Sequence, residues 1–250
     1  MKYEGPRPNK IESDPIKTDP IQTYFPFGPP VGYAKLPDEL VDDLNKGCDN
    51  IIRDKELSES ADFSHHLVGL VEQEISIPKE IFSKWSQWFA IQVITFVKGY
   101  ASQFYLPYGQ RSNISKAEIM KEIEKMSINI ANAWYVRSFA GDYNPAHTHT
   151  NCQLTCVGFL KVPDFSNEIR KVAEGPSGRY RRAPQNGTLE IMGNNASDTW
   201  ENNIMGILPT VGSWYLFPAN LRHTVYPFKC EGERRSFSIN IKTNVNFPMS

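Results

Sequence analysis

Residues 212–228 read GSWYLFPANLRHTVYPF. Two short runs rich in aromatic and β-branched residues, GSWYLFP and RHTVYPF, flank a turn-like break, and no helix-period segment intervenes. The same texture extends outward on both sides: INIANAWYVRSF at 128–139, QLTCVGFLKV at 153–162, GTLEIM at 187–192, NIMGIL at 203–208 and RRSFSINIK at 234–242. Gly, Pro, Asn and Asp separate these runs. Many short strands in series without crossover helices predict an antiparallel sandwich or barrel over about residues 127–245.

The first half reads differently. In LPDELVDDLNKGCDNIIRD, residues 36–54, the side chains Leu40, Leu44, Cys48, Ile51 and Ile52 fall on one helical face, with Pro37 at the entry. A longer helix is expected over Lys79–Tyr100 and a charged third at 115–126. Residues 1–30 hold seven of the eighteen prolines and a tandem DPIKT–DPIQT, which reads as an extended arm pinned by Tyr24, Phe25 and Phe27. The expectation is one α+β domain over 1–250: an arm at 1–33, supporting helices at 34–126 and a β core at 127–245.

Composition excludes several partner classes. Lys plus Arg number 27 against 28 Asp plus Glu, so a formal charge of −1 offers no field toward nucleic acid or an anionic membrane. The apolar run WSQWFAIQVITFVKGY is interrupted by Gln87, Gln92, Thr95 and Lys98, and reads as a buried helix rather than a span. No apolar h-region follows the start, and the four cysteines are scattered, so a cytoplasmic protein with reduced thiols is expected. The oligomeric state is not legible.

The chemistry concentrates in GDYNPAHTHTNCQL, residues 141–154. In a strand, residues i and i+2 face the same way about 6–7 Å apart, so His147 and His149 can converge on one cation. His223 is the remaining histidine of the β half, and a jelly roll brings such distant strands together. Three imidazoles leave open positions on an octahedral ion, which suits iron better than closed structural zinc. In RRSFSIN, Arg234, Ser236, Ser238 and Asn240 share one face while Arg235, Phe237, Ile239 and Ile241 share the other. With the apolar face packed on helices, Arg234 points into the barrel, where a guanidinium needs an anion and Ser236 can add a hydroxyl. A dicarboxylate that chelates the metal and reaches this socket satisfies both features, and Arg235→Ala, on the other face, is expected to do little to the binding of either.

His-x-His, a distal His and Arg-x-Ser about ten residues further on resemble the pattern of 2-oxoglutarate- and Fe(II)-dependent oxygenases. WYVRSFAGDYNPAHTHTNCQLTCVGFLKVP and GSWYLFPANLRHTVYPF…RRSFSIN look most like an oxygenase family common in cyanobacterial phages and marine bacteria. The resemblance covers 128–242 and implies a double-stranded β-helix (jelly-roll, cupin-like) with N-terminal supporting helices. It further implies His147, His149 and His223 as the catalytic metal set and Arg234 with Ser236 as the 2-oxoglutarate clamp. The activity implied is hydroxylation, with peptidyl proline among the candidate substrates, coupled to conversion of 2-oxoglutarate and O2 to succinate and CO2. Ascorbate is an auxiliary reductant in such systems, and a phage-encoded copy would act in the host cytoplasm.

Two departures stand out. His149 occupies the place of the usual carboxylate, with Asp142 a poorer geometric candidate. TCVGFL replaces the expected SGVYYL, so Gly158 is read as removing an aromatic that helps to hold 2-oxoglutarate. A rival reading is a cupin-type metal protein not using 2-oxoglutarate, on Gly141-x5-His147-x-His149-x3-Gln153 and Gly212-x5-Pro218 with His223; a further one is a non-catalytic jelly-roll module. His65 and His66 are read as loop residues and the strand aromatics Trp134, Trp214 and Tyr215 as core, while the basic loop 168–187 reads equally as a lid or substrate contact and as a solvated loop.

Overall fold

A computed structural model describes residues 19–24, 29–64, 68–102, 116–165, 187–193 and 204–245. His65, His66, residues 168–186 of the basic loop and the first eighteen residues of the arm lie outside these.

The elements run β1 (Gln22–Tyr24), β2 (Val31–Lys35), α1 (Asp38–Arg53), α2 (Lys55–Ser60), β3 (Gln73–Ser76), α3 (Lys79–Tyr100) and α4 (Lys116–Glu124). There follow β4 (Ile128–Ser138), β5 (Asn144–His147), β6 (Leu154–Lys161), β7 (Leu189–Met192), β8 (Ile204–Ile207), β9 (Ser213–Pro218), β10 (Arg222–Val225) and β11 (Arg234–Thr243). Every strand pair is antiparallel. The large sheet has the order β1-β2-β9-β6-β11-β4-β3 and the small one β5-β10-β7-β8. This is the double-stranded β-helix of an α+β protein, with its helices on the outer face of the large sheet.

Alternation decides what each face of the large sheet meets. Cys156, Trp214, Leu216, Phe237 and Ile239 point outward and pack with Leu40, Leu44, Phe89, Val93 and Phe96 of the helices. Trp88 meets Trp214 edge-on at 5.4 Å between ring centroids. Val157, Phe159 and Phe217 point inward against Leu189, Ile191 and Ile207 of the small sheet. Burying each such side chain contributes roughly 1.5–3 kcal/mol, which fixes the register because a one-residue slip would exchange the two faces.

Helix α1 starts after Pro37, with Asp38 and Glu39 in the first turn and Arg53 in the last, charges that favour the helix dipole. α3 spans Lys79–Tyr100 as its apolar spacing predicts. The first half supplies strands as well as helices. β1 and β2 extend the sheet beyond β9, and the backbone N–H of Ile21 donates to Gln92 Oε1 of α3 at 2.8 Å, which holds the chain there; Phe25 and Phe27 lie outside the described residues. β3 closes the other edge against β4; its four residues, QEIS, are too short and polar for periodicity to reveal. No helix among the described residues is long and apolar enough to cross a membrane.

Candidate active site

β5 and β10 are neighbours in the small sheet, and their register pairs His147 directly with His223. His149 lies two residues past β5, where its backbone N–H donates to Ala219 O at 2.9 Å. One candidate ligand atom from each ring lies within 4.8 Å of the others. The rings of His149 and His223 stack 2° from parallel with centroids 5.1 Å apart, and their Nε2 atoms are 3.2 Å apart. Nδ1 of His147 donates to Pro145 O at 2.6 Å and Nδ1 of His223 to Leu221 O at 3.0 Å, since a carbonyl can only accept. Each of these two rings therefore keeps Nε2 as a bare lone pair, the form that binds metal.

Burial pushes all three imidazoles below the ordinary histidine range, His149 to about 4 and His223 to about 3, and the neighbouring His147 adds to both shifts. They are neutral at neutral pH. Three neutral imidazoles could hold a divalent cation, and no carboxylate joins the cluster among the described residues. Asp142 is occupied elsewhere: its Oδ2 accepts from the backbone N–H groups of Phe139 and Glu72.

The triad opens on a cavity of about 550 Å³ between the sheets. Arg234, Ser236, Ser238 and Asn240 line it from β11, on the inward face that alternation predicts. Arg234 is 1% exposed, lies over the Phe159 ring at 5.1 Å, and leaves Nε and Nη2 without a hydrogen-bond partner. Desolvation lowers its pKa to about 10, which still leaves a cation at neutral pH. A buried guanidinium with orphaned donors is a socket for an anion. Ser138, the register partner of Arg234 on β4, and Ser236 bring hydroxyls to the same wall. The arrangement fits a divalent metal at one part of the cavity and a carboxylate at another.

Arg235 is fully buried on the opposite face, as alternation predicts, where it bonds Asp49 and Glu233 at 2.8 Å and ties α1 to the sheet. One expectation changes. Gly158 also faces outward: a Cβ there would lie 2.2 Å from the Phe237 ring, so no side chain at 158 could have reached a cavity ligand. The inward aromatic of TCVGFL is Phe159, beneath Arg234. Trp214 is core as expected. Trp134, although 3% exposed, lines the cavity, with Phe63 stacked on it at 5.4 Å and His149 beyond at 5.7 Å. Strand alternation placed Trp134 on one face but could not say which face met the cavity; Phe63 carried no signal.

A family model described as "Putative 2OG-Fe(II) oxygenase" matches residues 132–240. No curated protein sequence matches the chain at a significant level. Among solved structures, a prolyl-4-hydroxylase from Pseudomonas putida is similar over 85% of this chain and 91% of its own, at 13% identity and a TM-score of 0.48. A viral collagen prolyl hydroxylase from Paramecium Bursaria Chlorella virus-1, in its 2OG complex, is similar over 86% and 96%, at 14% identity and a TM-score of 0.43. A Trichoplax adhaerens prolyl hydroxylase, in complex with a hypoxia inducible factor peptide fragment, is similar over 85% and 83%, at 11% identity and a TM-score of 0.46. Residues 132–240, which carry the imidazole triad and Arg234, are the part of the chain that matches the 2-oxoglutarate- and Fe(II)-dependent oxygenase family.

Proposed function

We propose that this oxygenase is a cytoplasmic hydroxylase in which His147, His149 and His223 hold Fe(II), while Arg234 and Ser236 hold the far carboxylate of 2-oxoglutarate. The observation that carries the reading is Arg234: a fully buried cation with orphaned donors, in the same cavity as three neutral imidazoles. Iron and 2-oxoglutarate, when bound, supply the O2 activation, one oxygen atom going to succinate and the other to the substrate. The chain's own part is positioning and exclusion of water. Phe159 fixes the guanidinium plane, so a dicarboxylate gripped by paired N–H donors is held in one orientation. Val157 and Phe217 keep the surrounding wall apolar, which strengthens that grip.

The cavity lining supports a substrate class. Phe63, Trp134, Val68 and Val71 line it together with the polar Asn132, Asn144 and Lys242, and no Asp or Glu does so among the described residues. An uncharged, apolar carbon centre fits such a wall, and a peptidyl prolyl ring is within that class. A cationic side chain would find no counter-charge there. The free state of all four cysteines supports the cytoplasmic placement.

Anaerobic addition of 2-oxoglutarate to the Fe(II) protein should produce a visible charge-transfer band, and Arg234→Ala should abolish it while iron is retained. Succinate release with a panel of apolar peptides, prolyl peptides included, should identify the substrate. A protein that binds iron and gives neither band nor succinate would favour the cupin-type reading, which the carboxylate-free donor set also suits. His149→Ala should lose most of its metal, comparably to His147→Ala and His223→Ala; full iron occupancy would remove His149 from the ligand set.

A further inference from the structure

The inward face of β11 runs on past the anion socket. Arg234, Ser236, Ser238, Asn240 and Lys242 alternate along the strand, and all five line the cavity. Trp134, the register partner of Ser238 on β4, meets the His149 ring at 5.7 Å between centroids. The triad therefore lies level with the middle of this row, and Arg234 and Lys242 stand about 13 Å along the strand to either side. Among the described residues no other Lys or Arg lines the cavity, and no Asp or Glu does. Lys242 is exposed, and its ammonium has no ion-pair partner among the described residues. Beside it β4 bulges: Asn240 pairs with Asn132 and Ile241 with Ile130, which leaves Ala131 without a partner on β11. Ala131 and Asn132, neighbours in sequence, both line the cavity at this end.

We infer that Lys242 is a second anion contact, which selects a substrate that carries a carboxylate as well as an apolar reacting carbon. The inference rests on the reading of Arg234 as the 2-oxoglutarate clamp, which leaves Lys242 free for another anion. A chain as short as 2-oxoglutarate, anchored at the triad, reaches one of these cations and not both. Arg234 is the buried one with orphaned donors, whereas Lys242 stands at the open rim where a substrate enters. Charge points the same way. Imidazole ligands are neutral and remove none of the charge of a divalent ion, and no carboxylate joins them among the described residues. The two charges of 2-oxoglutarate balance the ion alone, so Arg234 and Lys242 leave the filled cavity positive. A positive, partly enclosed site concentrates anions and turns cations away. Phe63, Val68 and Val71 offer the apolar wall for the reacting carbon, and Lys242 holds the carboxylate at the rim. The two contacts together decide which carbon faces the triad.

The test uses the full-length protein loaded with Co(II) and 2-oxoglutarate, so that the triad and the clamp are both occupied. Two matched pairs serve as probes: 4-methylpentanoate with its amide, and acetyl-prolyl-aspartyl amide with acetyl-prolyl-asparaginyl amide. Titration calorimetry should show the acid of at least one pair binding about 5-fold more tightly than its partner, as an ion pair open to water gives. Added salt should shrink that difference. The pair that responds tells the source of the carboxylate, a small free acid or an acidic peptide. Lys242→Met should erase the difference while 2-oxoglutarate still binds, and Lys242→Arg should retain it. Lys242 is exposed, so neither replacement should disturb folding. Equal affinities within both pairs would overturn the inference, as would no binding of either acid at millimolar concentration or a preference that survives Lys242→Met. The two failures are distinct. A wild-type protein that takes up no 2-oxoglutarate sinks the clamp and the inference together, whereas normal uptake without an acid preference sinks only the role of Lys242.

Discussion

Position 234 combines a charge with burial in a way a structural residue would not need. The guanidinium is 1% exposed, and two of its nitrogens have no partner. An unpaired buried cation destabilises the fold that contains it, so Arg234→Met should make the ligand-free protein more stable, by about 1–4 kcal/mol. The same change should erase the rise in melting temperature that 2-oxoglutarate gives the wild type. A lower ligand-free melting temperature in Arg234→Met would show that the guanidinium is already satisfied. Glu74 is a second buried group at odds with its surroundings: burial, with Asp62 nearby, pushes its carboxyl up to about 8. Between its ordinary value and about 8 the unfolded chain gives up this proton while the folded chain keeps it. Stability therefore falls as pH rises through that window. Glu74→Gln should flatten the fall, read as urea midpoints at about pH 5 and about pH 9; an unchanged slope would place the effect on other groups.

Among the elements, β11 and β6 carry opposite duties on their two faces. Inward they line the cavity, and outward they receive α1 and α3. The outward contacts leave no slack at Gly158, where a Cβ would meet the Phe237 ring at 2.2 Å. Gly158→Ala should cost about 1–3 kcal/mol by overpacking, measured by urea unfolding. The 2-oxoglutarate dissociation constant should stay near wild type, because the strain lies on the helix side; a large loss of cofactor binding would put position 158 back on the cavity wall. Arg235 is the ionic counterpart of that packing. It bonds Asp49 of α1 and Glu233, and Glu233 also accepts from Arg137 Nε at 2.8 Å. Arg235→Ala leaves carboxylates without their partner and should cost about 3–5 kcal/mol. A near-neutral effect in urea would mean that α1 is held by apolar contacts alone.

At the scale of the molecule, the two sheets and the triad are linked through protonation. His149 and His223 have pKa values of about 4 and about 3 when folded, below the ordinary value of 6.5. As pH falls from the ordinary value toward these, the unfolded chain takes up protons that the folded chain refuses. Stability of the metal-free protein should therefore decline across that window. A bound divalent ion opposes the same protonation, and at a hundred times its dissociation constant contributes about 2.7 kcal/mol. Chelation should lower the melting temperature of the wild type at neutral pH and leave His147→Ala and His223→Ala unmoved. A chelator effect that persists in both variants would place the metal elsewhere.

What the sequence determined by itself was whatever repeats over a short distance. The 3.6-residue spacing of Leu40, Leu44, Cys48 and Ile51 marks α1, and the apolar run at Lys79–Tyr100 marks α3. The two-residue period of RRSFSIN is enough to send Arg234 and Arg235 to opposite faces, and His-x-His with a distal His is enough to nominate the metal site. Only the tertiary structure decided what stands on the other side of each face. The ion pair between Arg235 and Asp49 joins residues far apart in sequence, as do the ring of Phe237 over Gly158, the stack of Phe63 on Trp134, and the register pairing of His147 with His223. The short strands β1, β2 and β3 exist because a neighbouring edge satisfies their backbone groups. Periodicity is a local property of a chain. Partners across a sheet are set by register and by which apolar faces must leave water together, and no local pattern encodes that choice.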